Sequence, residues 1–492
     1  MRKRIASFFL IGTLLLSGCG IENSGPQSES ENDTASDAES SIINVDEVFS
    51  NRDFETEYQE NCAYIQLNGA SATCESNAVE IDENIITIKD EGTYVITGNL
   101  ENGMLVVDSE DTDKTQIVFN GVKIHNASGA AIYIKQSDKV FLTLQEGTEN
   151  TLSSGNSFAS IDGEEIDGVI YSKDDLTLNG AGSLSINSPG GHGIVSKDDL
   201  KITGGRYTID VASHGMSAND MLGIASGEFS IVSGEDSIHC DLNVFIRGGA
   251  FEIDAKDDAI HADETLYVYG GKINIVNSYE GLEALDMKIT DGEICIVASD
   301  DGLNAAGGTD SSGFGGMGND QFGGQGGRPG GQGGRPGGQG GGHGGTQSAS
   351  SDGSIVIEGG NLYIKSSGDG IDANGTLEIS GGSVIVCGPT QGDTATLDYD
   401  VSGVITGGTF IGTGGQMMAQ SFSDSEQGVI GVKVGSQSAN TQITLTDSSG
   451  NVILSHVPEL PFVIVILSSP DIKKGEMYTI TVGEASGEFE AQ

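Results

Sequence analysis

The chain has 492 residues, of which 72 are acidic and 23 are basic, so its formal net charge at pH 7 is −49. This charge repels the phosphates of nucleic acids and the head groups of anionic lipids, so we expect the folded part of the chain to bind neither. It also opposes a compact fold unless cations neutralise it. Divalent metal is the obvious candidate, and the absence of tryptophan argues against a flat platform for crystalline cellulose.

The first 18 residues have the features of a bacterial secretory signal. A basic start is followed by an apolar stretch over residues 5–16, which is shorter than the roughly 20 residues that span a bilayer. Leu16, Ser17 and Gly18 precede Cys19, an arrangement that resembles the lipobox and implies cleavage before Cys19 and its acylation. The alternative is an ordinary signal with a chance cysteine. We expect a lipid anchor on the extracellular face of the cell membrane and a net charge of −52 after cleavage.

Two segments precede the main part of the chain. Residues 19–45 are rich in Ser, Glu, Asn and Asp, which predicts a disordered tether. Residues 46–83 are predicted to form an N-terminal cap, in which Cys62 and Cys74 could form a disulfide because an extracellular compartment permits one. Three later cysteines occupy apolar strand positions and are expected to be buried free thiols: Cys240, Cys295 and Cys387.

An internal repeat dominates residues 84–427. An acidic residue or His, a small residue and an apolar residue open each unit, and a Gly-Gly turn between short apolar strands follows. From His192 to Asp301 the spacings are 22, 22, 22, 22 and 21 residues. This period predicts an all-β fold, a right-handed parallel β-helix. Strand alternation predicts inward-facing apolar and small columns, namely Ile238, Ile260, Leu282, Leu303 and Ile371, and Cys240, Ala262, Ala284, Ala305 and Ala373.

The repeat is interrupted once and then ends. Residues 307–350 are rich in Gly and Gln, with Arg-Pro-Gly triplets, and are predicted to be a disordered insertion at a turn. Residues 428–492 contain longer strand patterns. We expect them to form a small β-rich cap, because the end of a β-helix exposes unpaired strand edges.

The acidic residues of the repeat fall into columns, because equivalent residues of adjacent coils lie about 4.8 Å apart. Carboxylates at that spacing repel by roughly 1 kcal/mol even in water, and a calcium ion with bonds of about 2.3–2.6 Å could bridge two of them better than magnesium. The alternative is that they are solvated turn residues. The candidate calcium ligands are Asp236, Asp241, Asp257, Asp258, Asp263, Glu280, Glu283, Asp300, Asp301 and Asp369.

Four histidines recur in the same columns, at His192, His214, His239 and His261. They could be metal ligands or a catalytic base. A stack of imidazoles in the turns of a solenoid explains them more simply, and we prefer that interpretation.

The Asp-Gly-Ile-x-Ala-Asp units, the Gly-rich insertion and the closing segment 468–478 resemble a bacterial carbohydrate-binding family over roughly residues 80–485. Its members are calcium-binding β-helices similar in fold to pectate lyases, found on plant-degrading clostridia and binding polygalacturonate and cellulose. The resemblance implies calcium and a polysaccharide ligand, and its motif matches Asp236, Asp258, Asp301 and Asp369. At positions 192 and 214 His replaces the acid, which puts metal there in doubt.

Three functions are compatible with the sequence. The first is non-catalytic binding of an acidic plant polysaccharide by a monomer, with possible sugar contacts at Tyr267, Tyr269, Arg247 and Lys256. The second is a calcium-dependent polysaccharide lyase, which needs a cationic base beside the metal. The third is a structural adhesin, for which the repeat alone suffices. The available cations are scattered over different motif positions, which disfavours the lyase: Lys173, Lys197, Arg206, Arg247 and Lys256.

Overall fold

The computed structural model describes residues 45–58, 61–161, 163–306, 353–389, 392 and 394–492. The predicted signal sequence (1–18), the lipidation site Cys19, almost all of the predicted tether (19–45) and the predicted insertion (307–350) lie outside the described residues. No helix within the described ranges is long and apolar enough to cross a membrane.

The regular structure of the described chain is almost entirely strand. Its helical elements are α1 (Val45–Val48) and a 3-10 turn (Asn51–Phe54). The strands of the first part are β1 (Ala63–Gly69), β2 (Ala72–Thr73), β3 (Val79–Asp82), β4 (Ile85–Ile88), β5 (Gly92–Leu100), β6 (Met104–Asp108), β7 (Lys114–Asn126), β8 (Ile132–Gln136), β9 (Lys139–Leu144), β10 (Glu149–Ser154), β11 (Gly168–Ser172), β12 (Asp175–Gly180), β13 (Ser183–Ser188), β14 (His192–Ser196), β15 (Leu200–Ile202) and β16 (Arg206–Val211). Those of the middle part are β17 (Met216–Ala218), β18 (Met221–Ile224), β19 (Glu228–Ser233), β20 (Ile238–Cys240), β21 (Asn243–Ile246), β22 (Ala250–Ala255), β23 (Ile260–Val268), β24 (Lys272–Ser278), β25 (Leu282–Ile289), β26 (Glu293–Ala298) and β27 (Leu303–Ala305). Those of the last part are β28 (Ser354–Ile357), β29 (Asn361–Ser366), β30 (Ile371–Ala373), β31 (Thr376–Ile379), β32 (Ser383–Cys387), β33 (Leu397–Tyr399), β34 (Ser402–Ile405), β35 (Thr409–Gly414), β36 (Asp424–Ser425), β37 (Val429–Gln437), β38 (Ile443–Thr446), β39 (Val452–His456), β40 (Phe462–Ser468), β41 (Met477–Val482) and β42 (Ala485–Glu490).

These strands wind into a parallel β-solenoid of about 13 turns, with three parallel stacks that we call sheets I, II and III. Sheet I contains β4, β6, β8, β11, β14, β17, β20, the first halves of β23 and β25, β27, β30 and β33. Sheet II contains β9, β12, β15, β18, β21, the second halves of β23 and β25, β28, β31 and β34. Sheet III contains β10, β13, β16, β19, β22, β24, β26, β29, β32 and β35. The all-β, parallel solenoid predicted from the 22-residue period is confirmed.

The core consists of columns that run through successive coils. Ile238, Ile260, Leu282, Leu303 and Ile371 pair in register and are fully buried, as predicted. Burying each of these side chains contributes roughly 1.5–3 kcal/mol. Sheet III adds an internal aromatic ladder with ring centroids 5.1 Å and 4.7 Å apart, formed by Tyr207, Phe229 and Phe251. The Gly-Gly turn before it needs glycine, because Gly249 has φ +116° and a Cβ there would press on the ring of Phe251.

The N-terminal segment differs from the predicted cap. β1 already pairs in parallel with β5, so the solenoid begins before the predicted boundary at residue 84. Residues 45–58, which we call the strap, lie across the outside of sheet II. Asp53 of the strap accepts a hydrogen bond from Thr177 at 2.8 Å, and Phe49 packs with Phe245. The strap therefore covers a side of the solenoid as well as preceding it.

The C-terminal boundary predicted at residues 427 and 428 falls between β36 and β37. β40 pairs antiparallel with both β35 and β37, which ends the parallel stacking of sheet III. A separate four-stranded antiparallel sheet follows, in the order β39-β38-β41-β42. Ile411 of the solenoid packs into the apolar cluster of this cap, so the last coil is covered.

The cysteines differ from the prediction in two respects. Cys62 and Cys74 are both free. The β1–β2 register pairs Gln66 with Thr73, so Cys74 faces position 65 and lies about 10 Å along the strand from Cys62, too far for a disulfide. Cys240 and Cys387 are buried, but Cys295 lies on the outward side of β26 and is partly exposed.

Candidate functional site

Two polar columns on one side of the solenoid form the candidate site, which we call the polar groove. The turn column precedes sheet I and contains His192, His214, Asp236, Asp258, Glu280, Asp301 and Asp369. The strand column lies on the outward side of sheet I and contains Ser217, His239, His261, Glu283, Asn304, Asp372 and Asp398. The spacing of the repeat thus brings every predicted turn-column acid into one line.

Side chains of the turn column accept hydrogen bonds from the backbone of the next coil. The N–H of Asp258 donates to Asp236 Oδ1 at 2.9 Å, and the N–H of Glu280 donates to Asp258 Oδ1 at 3.1 Å. Asp301 and Asp369 accept in the same way from the backbone N–H groups of the residues that follow them in the stack. Part of the column's role is therefore structural, because these buried donors need an acceptor.

The same ladder explains why His replaces the acid at positions 192 and 214. His192 Nδ1 accepts the N–H of His214 at 3.1 Å, and His214 Nδ1 accepts the N–H of Asp236 at 3.2 Å. Burial lowers the pKa of both imidazoles. A neutral ring that accepts at Nδ1 carries its proton on Nε2, which leaves no lone pair there for a metal. The stacked rings, with centroids 5.0 Å apart, support the structural interpretation.

The next two histidines have a different role. His239 Nδ1 lies 2.9 Å from Asp236 Oδ2, and its Nε2 lies 3.3 Å from Asp241 Oδ1. Burial lowers the pKa of His239, but these two carboxylates outweigh burial and raise it to about 9. The ring is therefore an imidazolium at neutral pH.

His261 is bound by acids more tightly still. Its Nδ1 lies 2.8 Å from Glu283 Oε2 and 3.3 Å from Asp258 Oδ2, and its Nε2 lies 3.0 Å from Asp263 Oδ1. Burial opposes the charged ring, yet these carboxylates raise the pKa of His261 far above its usual value. The candidate calcium ligands Asp236, Asp241, Asp258, Asp263 and Glu283 thus face imidazolium rings.

The following coils hold acids that are surrounded by other acids. Burial, followed by the charges of Asp258 and Glu283, raises the pKa of Glu280 to about 10. Burial and the neighbouring Asp369 raise the pKa of Asp301 to about 8, and burial with Asp369 raises that of Asp372 to about 7. Ionising these three carboxyl groups at the same time costs free energy at neutral pH. A cation bound beside them would offset that cost.

The amide of Asn304 lies beside these acids in the polar groove. Asn304 donates to Glu280 Oε2 at 2.7 Å, while its Oδ1 is buried and has no hydrogen-bond donor among the described residues. Gly368 leaves the space beside Asp300 and Asp301 open, because a Cβ there would overlap the Oδ1 atoms of both. Carboxylate and amide oxygens without nitrogen ligands fit calcium, a hard cation that takes six to eight oxygens. Residues 280–372 therefore fit calcium better than the histidine-bearing coils.

The candidate metal ligands are close enough to act together. Three groups that include candidate calcium ligands have ligand atoms within 4.8 Å of one another: Asp236 with His214 and His239, Asp236 with Asp257 and Asp258, and Asp258 with His261 and Glu283. Asp300 precedes Asp301 in the turn and acts on it electrostatically. A further acidic group, Asp175 with Asp198 and Asp199, escaped the sequence analysis, although the repeated Lys-Asp-Asp-Leu at 173–176 and 197–200 signals it.

The candidate sugar contacts lie elsewhere. Tyr267 stacks on Phe245 of sheet II at 5.5 Å, and Tyr269 is 6.0 Å from Tyr267, on the side that the strap covers. Arg247 is exposed at the end of β21, on the edge between sheets II and III. Lys256 is exposed in the turn two residues before Asp258. Of the four, only Lys256 lies next to the polar groove in the chain.

Comparisons with known proteins concern mainly the segment that contains most of the polar groove. Residues 82–317 match a family model described as carbohydrate-binding domain-containing protein. A relative from Acetivibrio thermocellus with the same description is 29% identical over 212 residues, which are 42% of this chain and 65% of the relative. The chain thus spans slightly less than two thirds of that relative's length.

A solved structure gives a further likeness. The polysaccharide lyase-like protein from C. thermocellum, solved as a gadolinium derivative, is 28% identical to this chain, with a TM-score of 0.41. The alignment covers 49% of this chain and 96% of that one. On the sequence match, the segment from residue 82 to 317, which includes most of the polar groove, is similar to carbohydrate-binding domains.

Proposed function

We propose that the polar groove binds an acidic polysaccharide through calcium and does not cleave it. The crowding of Glu280, Asp301 and Asp372 carries this proposal, because burial and neighbouring acids oppose their joint ionisation. A bound divalent cation relieves that repulsion. The similarity of residues 82–317 to carbohydrate-binding domains supports a polysaccharide as the partner.

The chemistry of the donor set supports calcium as the cation. Carboxylates in these coils come from Glu280, Asp300, Asp301, Asp369 and Asp372. Asn304 supplies an amide oxygen with no donor among the described residues. Calcium held by these residues would supply positive charge on an otherwise acidic surface. The coils of His239 and His261 need a cation less, because the two imidazolium rings offset part of the charge of Asp236, Asp258 and Glu283.

The shape of the site supports an extended, charged chain as the ligand. A solenoid repeats the same position every 4.8 Å or so, so the polar groove presents a line of polar groups along the axis. A uronate carboxylate can share calcium with protein carboxylates, which would allow a chain of net charge −49 to bind a polyanion. We therefore propose a polygalacturonate-like plant polysaccharide, bound by a monomer.

The positions of the cations support binding without catalysis. Calcium-assisted β-elimination needs a strong base beside the metal. Lys256 occupies the turn two residues before Asp258, but Ser278, Ser299 and Ser367 occupy that position in the coils of the proposed calcium site. Arg206 pairs with Glu228 on sheet III at 3.1 Å, and Lys173 pairs with Glu164 at 3.0 Å.

The N-terminal sequence supports a location outside the cell. Acylation of Cys19 would anchor the protein to the membrane by lipid alone, on its extracellular face, with residues 19–45 as a tether. A polysaccharide is too large to enter the cell, so a protein on the cell surface is in a position to bind it.

Calorimetric titration with polygalacturonate, with calcium and then with a chelator, tests the proposal. We expect binding only with calcium, and its loss in Asp301→Asn but not in Asp210→Asn, an exposed acid of sheet III. We expect parallel ultraviolet absorbance assays to detect no unsaturated uronate product. Product formation that Lys256→Ala abolishes would make the protein a lyase, and the absence of any polysaccharide binding would favour a structural adhesin.

A further inference from the structure

A second cluster of metal-binding side chains lies where the solenoid meets its C-terminal cap. Cys387 ends β32 of the solenoid, and His456 ends β39 of the cap. Cys387 Sγ lies 3.6 Å from His456 Nε2, and the hydroxyl oxygen of Tyr363 lies 3.7 Å from the same sulfur. Glu459 of the cap hydrogen-bonds to Tyr363 and forms an ion pair with Lys365 at 3.0 Å.

We propose that Cys387, His456 and Glu459 form a zinc site that joins the cap to the solenoid. The distance between sulfur and nitrogen carries this inference. Zinc binds sulfur at about 2.3 Å and nitrogen at about 2.0–2.1 Å in tetrahedral geometry, which places two such ligand atoms roughly 3.5–3.6 Å apart. The observed 3.6 Å therefore already matches two ligands of one zinc ion.

The position of Cys387 in its strand is the second observation. Along β32 the side chains of Ser383, Ile385 and Cys387 point outward, and the inward positions are Val384 and Val386. Cys387 is nevertheless fully buried, because the cap covers this part of sheet III. Among the described residues, the imidazole of His456 in the cap is the nitrogen ligand that lies beside this sulfur.

The ligand chemistry distinguishes this site from the polar groove. Thiolate and imidazole select zinc and similar transition metals, whereas the oxygens of the groove suit calcium. Binding would replace the thiol proton of Cys387, which passes to solvent, by a zinc–sulfur bond without any change of oxidation state. Glu459 is exposed, so the ion can enter from its side, and Tyr363 would hold the carboxylate of Glu459 toward the metal.

Such a site would stabilise the attachment of the cap. Two of its ligands come from the cap and one from the solenoid, so a bound ion ties strands 69 residues apart in the chain. Metal that binds only the folded state raises stability by mass action. The proposal does not depend on calcium or polysaccharide binding in the groove.

Cobalt titration of the full-length protein, with saturating calcium to fill oxygen sites, tests the proposal. Cobalt bound to a thiolate gives a near-ultraviolet charge-transfer band that oxygen and nitrogen ligands do not give. We expect this band at one equivalent, its removal by zinc, and its loss in Cys387→Ser. Cys240→Ser is the matched control, because Cys240 is also a buried thiol but has the backbone oxygen of Asn219 as its neighbour.

Glu459→Gln is the second variant, because Glu459 is exposed and we expect its replacement to leave the fold intact. We expect it to weaken cobalt binding by at least the roughly 10–100-fold that the loss of a supporting residue costs. The absence of a thiolate band in the unmodified protein would overturn the proposal. So would a band that persists in Cys387→Ser, because it would belong to another cysteine.

Discussion

At the scale of single residues, His and Asp are interchangeable in the turn column because both accept a backbone hydrogen bond. His214 Nδ1 accepts the N–H of Asp236, and one coil later Asp236 Oδ1 accepts the N–H of Asp258. Their charges differ, however, so the histidines reduce the repulsion along the stack. The coils of Glu280, Asp301 and Asp372 have no histidine in either column, so their acids are not relieved in this way.

The pKa values in the groove predict how stability depends on pH. The pKa of His239 is raised to about 9, so its contribution is complete below about 6.5 and is lost as the pH rises through 9. The pKa values of Asp301 and Asp372 are raised to about 8 and about 7, so folding favours the protonated forms of both. Their contribution to the free energy of unfolding is also lost as the pH rises from about 4. Both effects have the same sign.

In a chelator, we therefore expect the melting temperature to fall between about pH 7 and pH 9, because the lowered pKa values of His192 and His214 act with the opposite sign only below about pH 6.5. Calcium should reduce this fall, since it binds the ionised carboxylates that form in the same pH range. Calorimetric melting at several pH values, with calcium and with the chelator, measures both. A melting temperature that is constant or rises across this range in the chelator would contradict the assignment of these groups.

The sequence predicts some of these residues well and others not at all. Ile260 and Asp258 follow directly from the repeat, because the period decides which side chains stack and which face inward. The protonation of His261 could not be predicted, since it depends on distances to Asp263 and Glu283 that the period does not determine. Cys387 was expected to be buried, but its partner on the cap comes from a segment with no repeat.

At the scale of elements, the strap is the feature that sequence reasoning missed. It contacts β9 and β12, and Asp53 lies 124 residues from its partner Thr177, too far for any local pattern to indicate the contact. Asp53 is fully buried, and its Oδ1 lies 2.9 Å from Lys139 Nζ. The strap also packs against Tyr267 and Tyr269 and covers part of each ring, which makes these tyrosines poor candidates for sugar contacts.

The buried ion pair predicts a coupled effect on stability. Asp53→Ala leaves the ammonium of Lys139 buried without its main partner, and breaking such a pair costs about 3–5 kcal/mol. We expect Lys139→Met to restore most of the loss in the double variant, because the apolar side chain fills the same space without a charge. Denaturant unfolding of the four proteins measures the coupling. An equal loss of unfolding free energy in Asp53→Ala and in the double variant would show that the pair does not hold the strap.

At the scale of the whole molecule, the solenoid continues across the predicted insertion. Ala305 pairs with Ala373, and Ser354 pairs with Thr376, so β27 and β28 stack on β30 and β31 of the next coil. In that coil only Asn374 and Gly375 connect the two strands. The backbone of Gly353 lies beside the carbonyl of Ala305, so the two ends of the interruption meet.

We therefore expect deletion of residues 307–352 to leave the fold intact. Ala306 and Gly353 would then form a two-residue turn of the same length as Asn374 and Gly375. Differential scanning calorimetry should show a melting temperature within a few degrees of the full-length value. A shift of that size corresponds to a change of about 1 kcal/mol in stability for a domain of this size or smaller. A fall of many degrees would show that the insertion packs against the solenoid.

Calcium binding to the acids at residues 280–372 is the central claim, and calcium titration of Asp301→Asn tests it most directly. Asparagine keeps an oxygen for the N–H of Asp369 but removes the charge. In the unmodified protein, calcium at 100 times its Kd should add about 2.7 kcal/mol of stability. We expect isothermal calorimetry to show clear binding that Asp301→Asn weakens at least tenfold and Asp210→Asn leaves unchanged. No calcium heat in the unmodified protein, or equal binding by Asp301→Asn, would contradict the account.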